Sequence, residues 1–155
     1  MNYRRAGQDD IAQLTTLRMA YLEADYGVLE AEVYEVIAQR LPSYFLRHLE
    51  RDCFAYVAEA EDGELIASAL LVVSEKPANL SFPTGRIGTV LNVYTQPQYR
   101  RQGNAEVLMR MLMYDASAME LDYIELKATE QGAALYEKLG FCPKNSDYLE
   151  MQFIF

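Results

Sequence analysis

Basic residues are scarce in this chain: 14 lysines and arginines stand against 23 aspartates and glutamates, for a formal net charge of −9. A nucleic-acid binder needs Lys and Arg to displace the counterions of phosphate, so no nucleic-acid partner is expected. Cysteine is nearly absent. Cys53 and Cys142 lie far apart, so neither a disulfide framework nor a metal site is indicated, and both are expected as small buried apolar residues. No apolar run approaches the ~20 residues of a membrane span, and the opening MNYRRAGQDD has no apolar signal core, so the expected address is the cytoplasm without a membrane partner. Neither GxxxxGK(S/T) nor GxGxxG occurs after a strand, which disfavours a nucleotide triphosphatase and a dinucleotide enzyme.

What is present fits one ordinary domain over residues 1–155, with 51% apolar and 24% charged residues. Residues 2–5 read as a short strand, and Asp9 or Asp10 is placed to cap a helix in which Ile11, Leu14, Leu17, Arg18, Tyr21 and Leu22 recur at helical spacing. Gly27 ends that helix, and a second helical stretch over about 30–50 is expected to break near Pro42. CFAYVAEA and ELIASALLVVSE, joined through Asp62 and Gly63, predict a hairpin. After the loop KPANLSFPTG comes RIGTVLNVYT, apolar on both faces (Ile87, Leu91 and Val93 against Val90 and Tyr94), as expected of a strand covered by helices. A helix to about Glu120 follows, with Val107, Leu108, Met111 and Leu112 on its apolar face, then a strand at 123–127, a brief helix closed by Gly140, and a last strand YLEMQFIF. This order predicts an α+β fold, a sheet sandwiched by helices.

The junction QYRRQGNA, Gln98 to Ala105, places two arginines and a glycine between that strand and that helix. The first N–H groups of a helix have no partners and point one way, with the positive end of the helix dipole behind them. Gly103 lets a ligand oxygen approach the backbone, and Arg100 and Arg101 bring charge to a locally basic spot on an acidic chain. The arrangement suits a pyrophosphate, and nearly as well a sulfate or a carboxylate.

The run NVYTQPQYRRQGNAEVLMRML, with ALYEKLGF about thirty residues further on, resembles the acetyl-CoA site of the GNAT superfamily of N-acetyltransferases. Arg100, Gly103 and Ala105 satisfy the family signature, Arg or Gln, two residues, Gly, one residue, Gly or Ala. The resemblance implies a GNAT-like mixed, mostly antiparallel central sheet flanked by helices on both faces, and acetyl-CoA as cosubstrate with no metal. It also implies that Val93, Tyr94 and Thr95 offer backbone groups to the pantetheine arm, and that Arg101, Gln102, Gly103, Asn104, Ala105 and Glu106 hold the pyrophosphate by backbone N–H groups. Asn104 stands where the family often has Ile or Leu, and Thr129 where many members have an Asn that contacts the cofactor.

Acetyl transfer to an amine requires an unprotonated amine, a polarised thioester and a proton for the departing thiolate. The resemblance makes Tyr136 that proton donor, by direct transfer in a ternary complex rather than through an acetylated Cys142. Glu150, Asp25 and Glu23 are candidate bases by position, and His48 is expected to be exposed, so no base is assigned. The acids from Glu23 to Glu35 border the expected acceptor mouth and would favour a cationic amine. The competing function is a noncatalytic acyl-CoA-binding module, and YLEMQFIF offers a sticky edge for a homodimer.

Overall fold

The computed structural model describes every residue from Met1 to Phe155. Five strands, β1 (Asn2–Arg5), β2 (Cys53–Glu59), β3 (Leu65–Glu75), β4 (Arg86–Thr95) and β5 (Ile124–Glu125), form one sheet in sequence order. Neighbours β1 to β4 pair antiparallel, and β4 pairs with β5 in parallel. Four helices, α1 (Ile11–Tyr26), α2 (Ala31–His48), α3 (Asn104–Ala116) and α4 (Glu130–Lys138), complete the α+β fold. No helix is long and apolar enough to cross a membrane.

Because strand side chains alternate between faces, β2 feeds two cores. Ala55 and Val57 join Leu14, Leu17 and Phe45 from α1 and α2, while Tyr56 and Ala58 join Leu108, Met109 and Leu112 from α3. The helices thus cover both faces of the sheet, as expected. The α3 stripe is shifted from the sequence reading: Leu108, Met109, Leu112 and Ala116 are buried, whereas Val107 and Met111 are half-buried. The helix also stops at Ala116, short of Glu120, whose φ of 55° lies in the left-handed region.

The second helix does not break. Pro42 lies inside α2, although a helix-interior proline removes one hydrogen bond and crowds the preceding turn. Leu41, Tyr44 and the buried Phe45 pack on the core beside α1, which holds the turns around Pro42 in one helix. Asp10 does precede α1, but its carboxylate makes no cap bond to the helix. It accepts from Arg4 Nη1 at 2.7 Å and Nη2 at 2.8 Å and from the Gly7 N–H at 2.9 Å. The Arg4 hydrogen bonds, more than any other influence, hold the Asp10 carboxyl below its ordinary value. A carboxyl depressed by folding stabilises the fold above its unfolded pKa of about 4 and loses that contribution as pH falls through the folded value. Asp10→Asn should therefore be less stable by about 1–2 kcal/mol at pH 7, allowing for the partial exposure of Arg4, and the gap should close below about pH 3. Urea unfolding of both proteins at the two pH values checks this.

The expected last strand is absent. An extended segment becomes a strand only when its backbone finds a partner, and residues 142–155 pair with none. Tyr148, Leu149, Met151, Phe153, Ile154 and Phe155 are all exposed. The neighbouring β5 is correspondingly short, Ile124–Glu125 rather than 123–127. Cys53 is fully buried as expected, and burial pushes its thiol up to about 11, whereas Cys142, beyond the end of α4, is exposed.

Candidate active site

The site begins where β4 and β5 part. β4 pairs with β5 only through Gly88 and Thr89, so its edge from Val90 to Thr95 has no strand partner on that side. At the paired end the strands are close enough to require glycine. A Cβ on Gly88 would meet Leu71 Cδ1 at 2.8 Å and Ile124 Cγ2 at 2.9 Å. Beyond it β4 is bulged. Ser68 faces Tyr94 while Leu70 faces Leu91, so Asn92 and Val93 together oppose Ala69, and Asn92 takes φ of 54°. The bulge interrupts the alternation assumed from sequence: Leu91 becomes exposed and Asn92 buried. Asn92 Nδ2 donates to Ser68 Oγ at 2.8 Å, which satisfies it inside the sheet.

β4 leads into a short 3-10 turn, Pro97–Tyr99, and then into Arg101 at φ 59° and Gly103 at φ 84° before α3 starts. These two left-handed residues turn the chain so that none of the backbone N–H groups from Arg101 to Glu106 donates to another group of the protein. Six consecutive free donors at the positive end of a helix form an anion cradle. All of these residues except Gln102 line a concavity of about 310 Å³ that also includes Thr95, Tyr99, Arg100 and Leu135. A Cβ on Gly103 would meet nothing within 4 Å, so its glycine is demanded by the backbone angle and leaves the space before it clear for a ligand.

The side chains of the turn serve mainly to hold it. Arg100 Nε donates to the Thr95 carbonyl at 3.0 Å and its guanidinium lies over the Tyr94 ring at 5.8 Å, so this arginine ties the turn back onto β4. Gln102 Nε2 donates to the Gln98 carbonyl at 3.2 Å. Asn104, only 3% exposed, accepts from Tyr3 Oη at 2.7 Å and donates to the Tyr99 carbonyl at 2.9 Å. The apolar residue expected at that position is thus replaced by a bracket joining α3 to β1 and to the turn. Asn104→Leu should destabilise the protein by about 1–3 kcal/mol, because the Tyr3 hydroxyl and the Tyr99 carbonyl lose their partner. A thermal or urea transition measured with and without acetyl-CoA checks it. Glu106 pairs with Lys138 Nζ at 2.6 Å and with Arg110 at 2.9 Å, linking α3 to α4, and those cations, Lys138 first, hold its carboxyl below the ordinary range.

On α4, Thr129 is the N-cap, and its hydroxyl oxygen accepts from the Gly132 N–H at 3.2 Å. Two turns further on, Tyr136 packs edge-on against Phe141 with ring centroids 6.0 Å apart. Its hydroxyl forms no hydrogen bond with the protein and is not sealed from solvent. Burial raises Tyr136 above the ordinary tyrosine value, and the neighbouring Tyr21 adds to that shift. The phenol therefore keeps its proton through neutral and mildly alkaline pH, with an O–H free to donate.

All three carboxylates considered as bases are exposed. Glu150 lies in the exposed terminal segment, and Glu23 and Asp25 are exposed at the end of α1, where Tyr21 Oη donates to Asp25 at 3.4 Å. His48 is half-buried rather than exposed: Nδ1 lies 2.8 Å from Asp52 and the ring stacks on Tyr44 at 4.5 Å. Three residues of the site region escaped the sequence reading, namely Tyr3, Asn92 and Arg18. For Asn92 there was a signal, since asparagine is depleted in strands and this one interrupts an apolar run.

Comparison with known proteins gives the family and the fold. A family profile described as "Acetyltransferase (GNAT) domain" matches residues 51–143. The structure resembles that of a predicted acetyltransferase with acetyl-CoA from Clostridium acetobutylicum, at 30% identity and TM-score 0.83, covering 97% of this chain and 95% of that one. It also resembles a GCN5-related N-acetyltransferase from Ralstonia eutropha JMP134, at 25% identity and TM-score 0.80 over 97% of each chain. A glucosamine-6-phosphate N-acetyltransferase from Arabidopsis thaliana shares the fold at 19% identity and TM-score 0.70, over 99% of this chain and 97% of that one. No curated protein matches by sequence. The chain belongs to the GNAT acetyltransferase family.

Proposed function

We propose that the protein is an acetyl-CoA-dependent N-acetyltransferase that moves the acetyl group to a primary amine by direct attack in a ternary complex. The observation that carries this reading is the run of free N–H groups from Arg101 to Glu106 adjoining the unpaired edge of β4. The first suits the two negative charges of a diphosphate, and the second suits the amides of a pantetheine arm, along Val93, Tyr94 and Thr95. Acetyl-CoA supplies an acyl group on a thiol leaving group. Tyr136, protonated at working pH and with its O–H uncommitted, is the residue that donates to the departing sulfur. Thr129 keeps a hydroxyl hydrogen for the same cosubstrate while its oxygen caps α4.

The amine must arrive uncharged or lose its proton in the cleft, and no residue is assigned that step. The exposed acids from Glu23 to Glu35 flank the loop joining α1 and α2 and would raise the local concentration of a cationic amine. An acceptor screen with acetyl-CoA, read by free thiol, tests the reading. Thiol release that depends on an amine supports it, and binding without turnover would instead make the chain an acyl-CoA-binding module.

A further inference from the structure

A half-buried cation of α1 has no counter-ion. Arg18, on the inner side of α1, is half-buried, yet no carboxylate comes within 4.0 Å of it. Arginine held partly out of water is ordinarily paired, because desolvating the charge is costly unless an anion or several hydrogen bonds compensate. Its only hydrogen bond within the protein is a long one of 3.5 Å from Nη1 to Asn92 Oδ1, at the β4 bulge. The guanidinium also lies over the Tyr21 ring, 5.4 Å from its centroid.

These neighbours locate the charge. Tyr21 packs edge-on against Tyr94 at 6.5 Å, on the last turnless stretch of β4, and lies within electrostatic reach of Tyr136. The Arg18 charge also acts on Tyr44 of α2 and on Cys53 of β2. Asp52 and Asp25 are engaged with other groups: Asp52 faces His48 at 2.8 Å, and Asp25 accepts from Tyr21 at the exposed end of α1. Arg18 therefore stands where α1 meets the β4 bulge, beside Tyr21 and, through it, Tyr94. Most of its planar fork of donors is unused.

We infer that Arg18 binds an oxyanion of the acceptor, a carboxylate or a phosphate carried a few bonds from the reacting amine. The bulge supports this arrangement, since it turns Asn92 inward to take one guanidinium N–H and leaves the others without a partner in the protein. The inference deepens the N-acetyltransferase reading and rests on it. Together with the acidic loop between α1 and α2, it describes an acceptor with both charges, an ammonium drawn by the acids and an oxyanion held by Arg18.

The test compares acceptor pairs with and without the anion, free amino acids against their amides and phosphoethanolamine against ethanolamine, with each rate referred to its unprotonated amine. Wild-type kcat/KM should favour the anionic member of at least one pair by about ten- to a hundredfold, the range of one charge-assisted hydrogen-bonded pair. The two pairs separate a carboxylate from a phosphate. Arg18→Gln should abolish that preference while leaving the acetyl-CoA KM and the rate with the neutral member unchanged, and Arg18→Lys should restore part of it. Equal use of anionic and neutral acceptors by the wild type, or an equal loss on both in Arg18→Gln, would overturn the assignment. Calorimetric titration of the same amines into the enzyme with CoA reads the anion site without turnover. Anion-dependent binding lost in Arg18→Gln, with no acetylation of any amine, would keep the site and reject the transferase reading; acetylation with no anion dependence would do the reverse.

Discussion

Tyr136→Phe is expected to lower the turnover of acetyl transfer by about ten- to a thousandfold, with little change in acetyl-CoA affinity. The expectation follows from what the substitution removes. The ring stays, so the contact with Phe141 and the packing of α4 are kept, and only an O–H that bonds to nothing in the protein is lost. Such a group contributes little to stability, and its loss should be felt where a thiolate leaves. Because burial places Tyr136 above the ordinary tyrosine value, the alkaline fall of kcat that it causes should lie above about pH 10, and that limb should vanish in the variant. Steady-state kinetics across pH, paired with acetyl-CoA binding, checks both parts. Undiminished turnover in the variant would remove Tyr136 from the chemistry.

Gly103→Val should raise the dissociation constant of acetyl-CoA by about a hundredfold. At φ 84° a β-branched side chain is strained by roughly 1–2 kcal/mol, and relaxation of that strain turns the adjoining peptide groups away from their common target. Loss of one or two hydrogen bonds to a charged diphosphate, at about 1.5–3 kcal/mol each, accounts for the factor. The fold should survive, since no protein atom lies within 4 Å of the new Cβ. A modest fall in melting temperature together with a large fall in affinity is therefore the expected pair of results. Unchanged affinity would mean that the peptide groups around Gly103 do not carry the binding.

The parts of this site that could be read from sequence are those made by backbone. A glycine after a strand and before a helix implies free N–H groups and a left-handed turn whatever the side chains are, and both occur at Gly103. The hairpin through Asp62 and Gly63 and the caps at Gly27 and Gly140 were legible for the same reason, since each rests on a local backbone requirement. Features that depend on distant partners were not. The Asn104 bracket needs Tyr3, about a hundred residues away, and nothing near Asn104 announces it. The β4 bulge moves Leu91 outward and Asn92 inward, so strict alternation mispredicts both. Pro42 carries a strong local signal against helix that packing of Phe45 and its neighbours overrides. The segment YLEMQFIF has the composition of a strand, but composition cannot provide the hydrogen-bonding neighbour that it lacks here.

Arg18 shows the opposite limit. Its helical spacing with Leu14 and Tyr21 suggested only a place on α1, whereas the absence of any carboxylate beside it emerges once the chain is folded. Its surroundings come from three elements: α1 carries it together with Tyr21, the β4 bulge sets Asn92 beside it, and α4 carries Tyr136, which lies within electrostatic reach of Tyr21.

The central claim, that the peptide groups after β4 hold the diphosphate of acetyl-CoA, is tested most directly by a crystal structure of the complex. Diphosphate oxygens should lie within about 3.2 Å of two or more of the backbone nitrogens from Arg101 to Glu106, with the pantetheine arm beside Val93 to Thr95. A diphosphate held elsewhere by side chains, with those nitrogens still facing water, would contradict it.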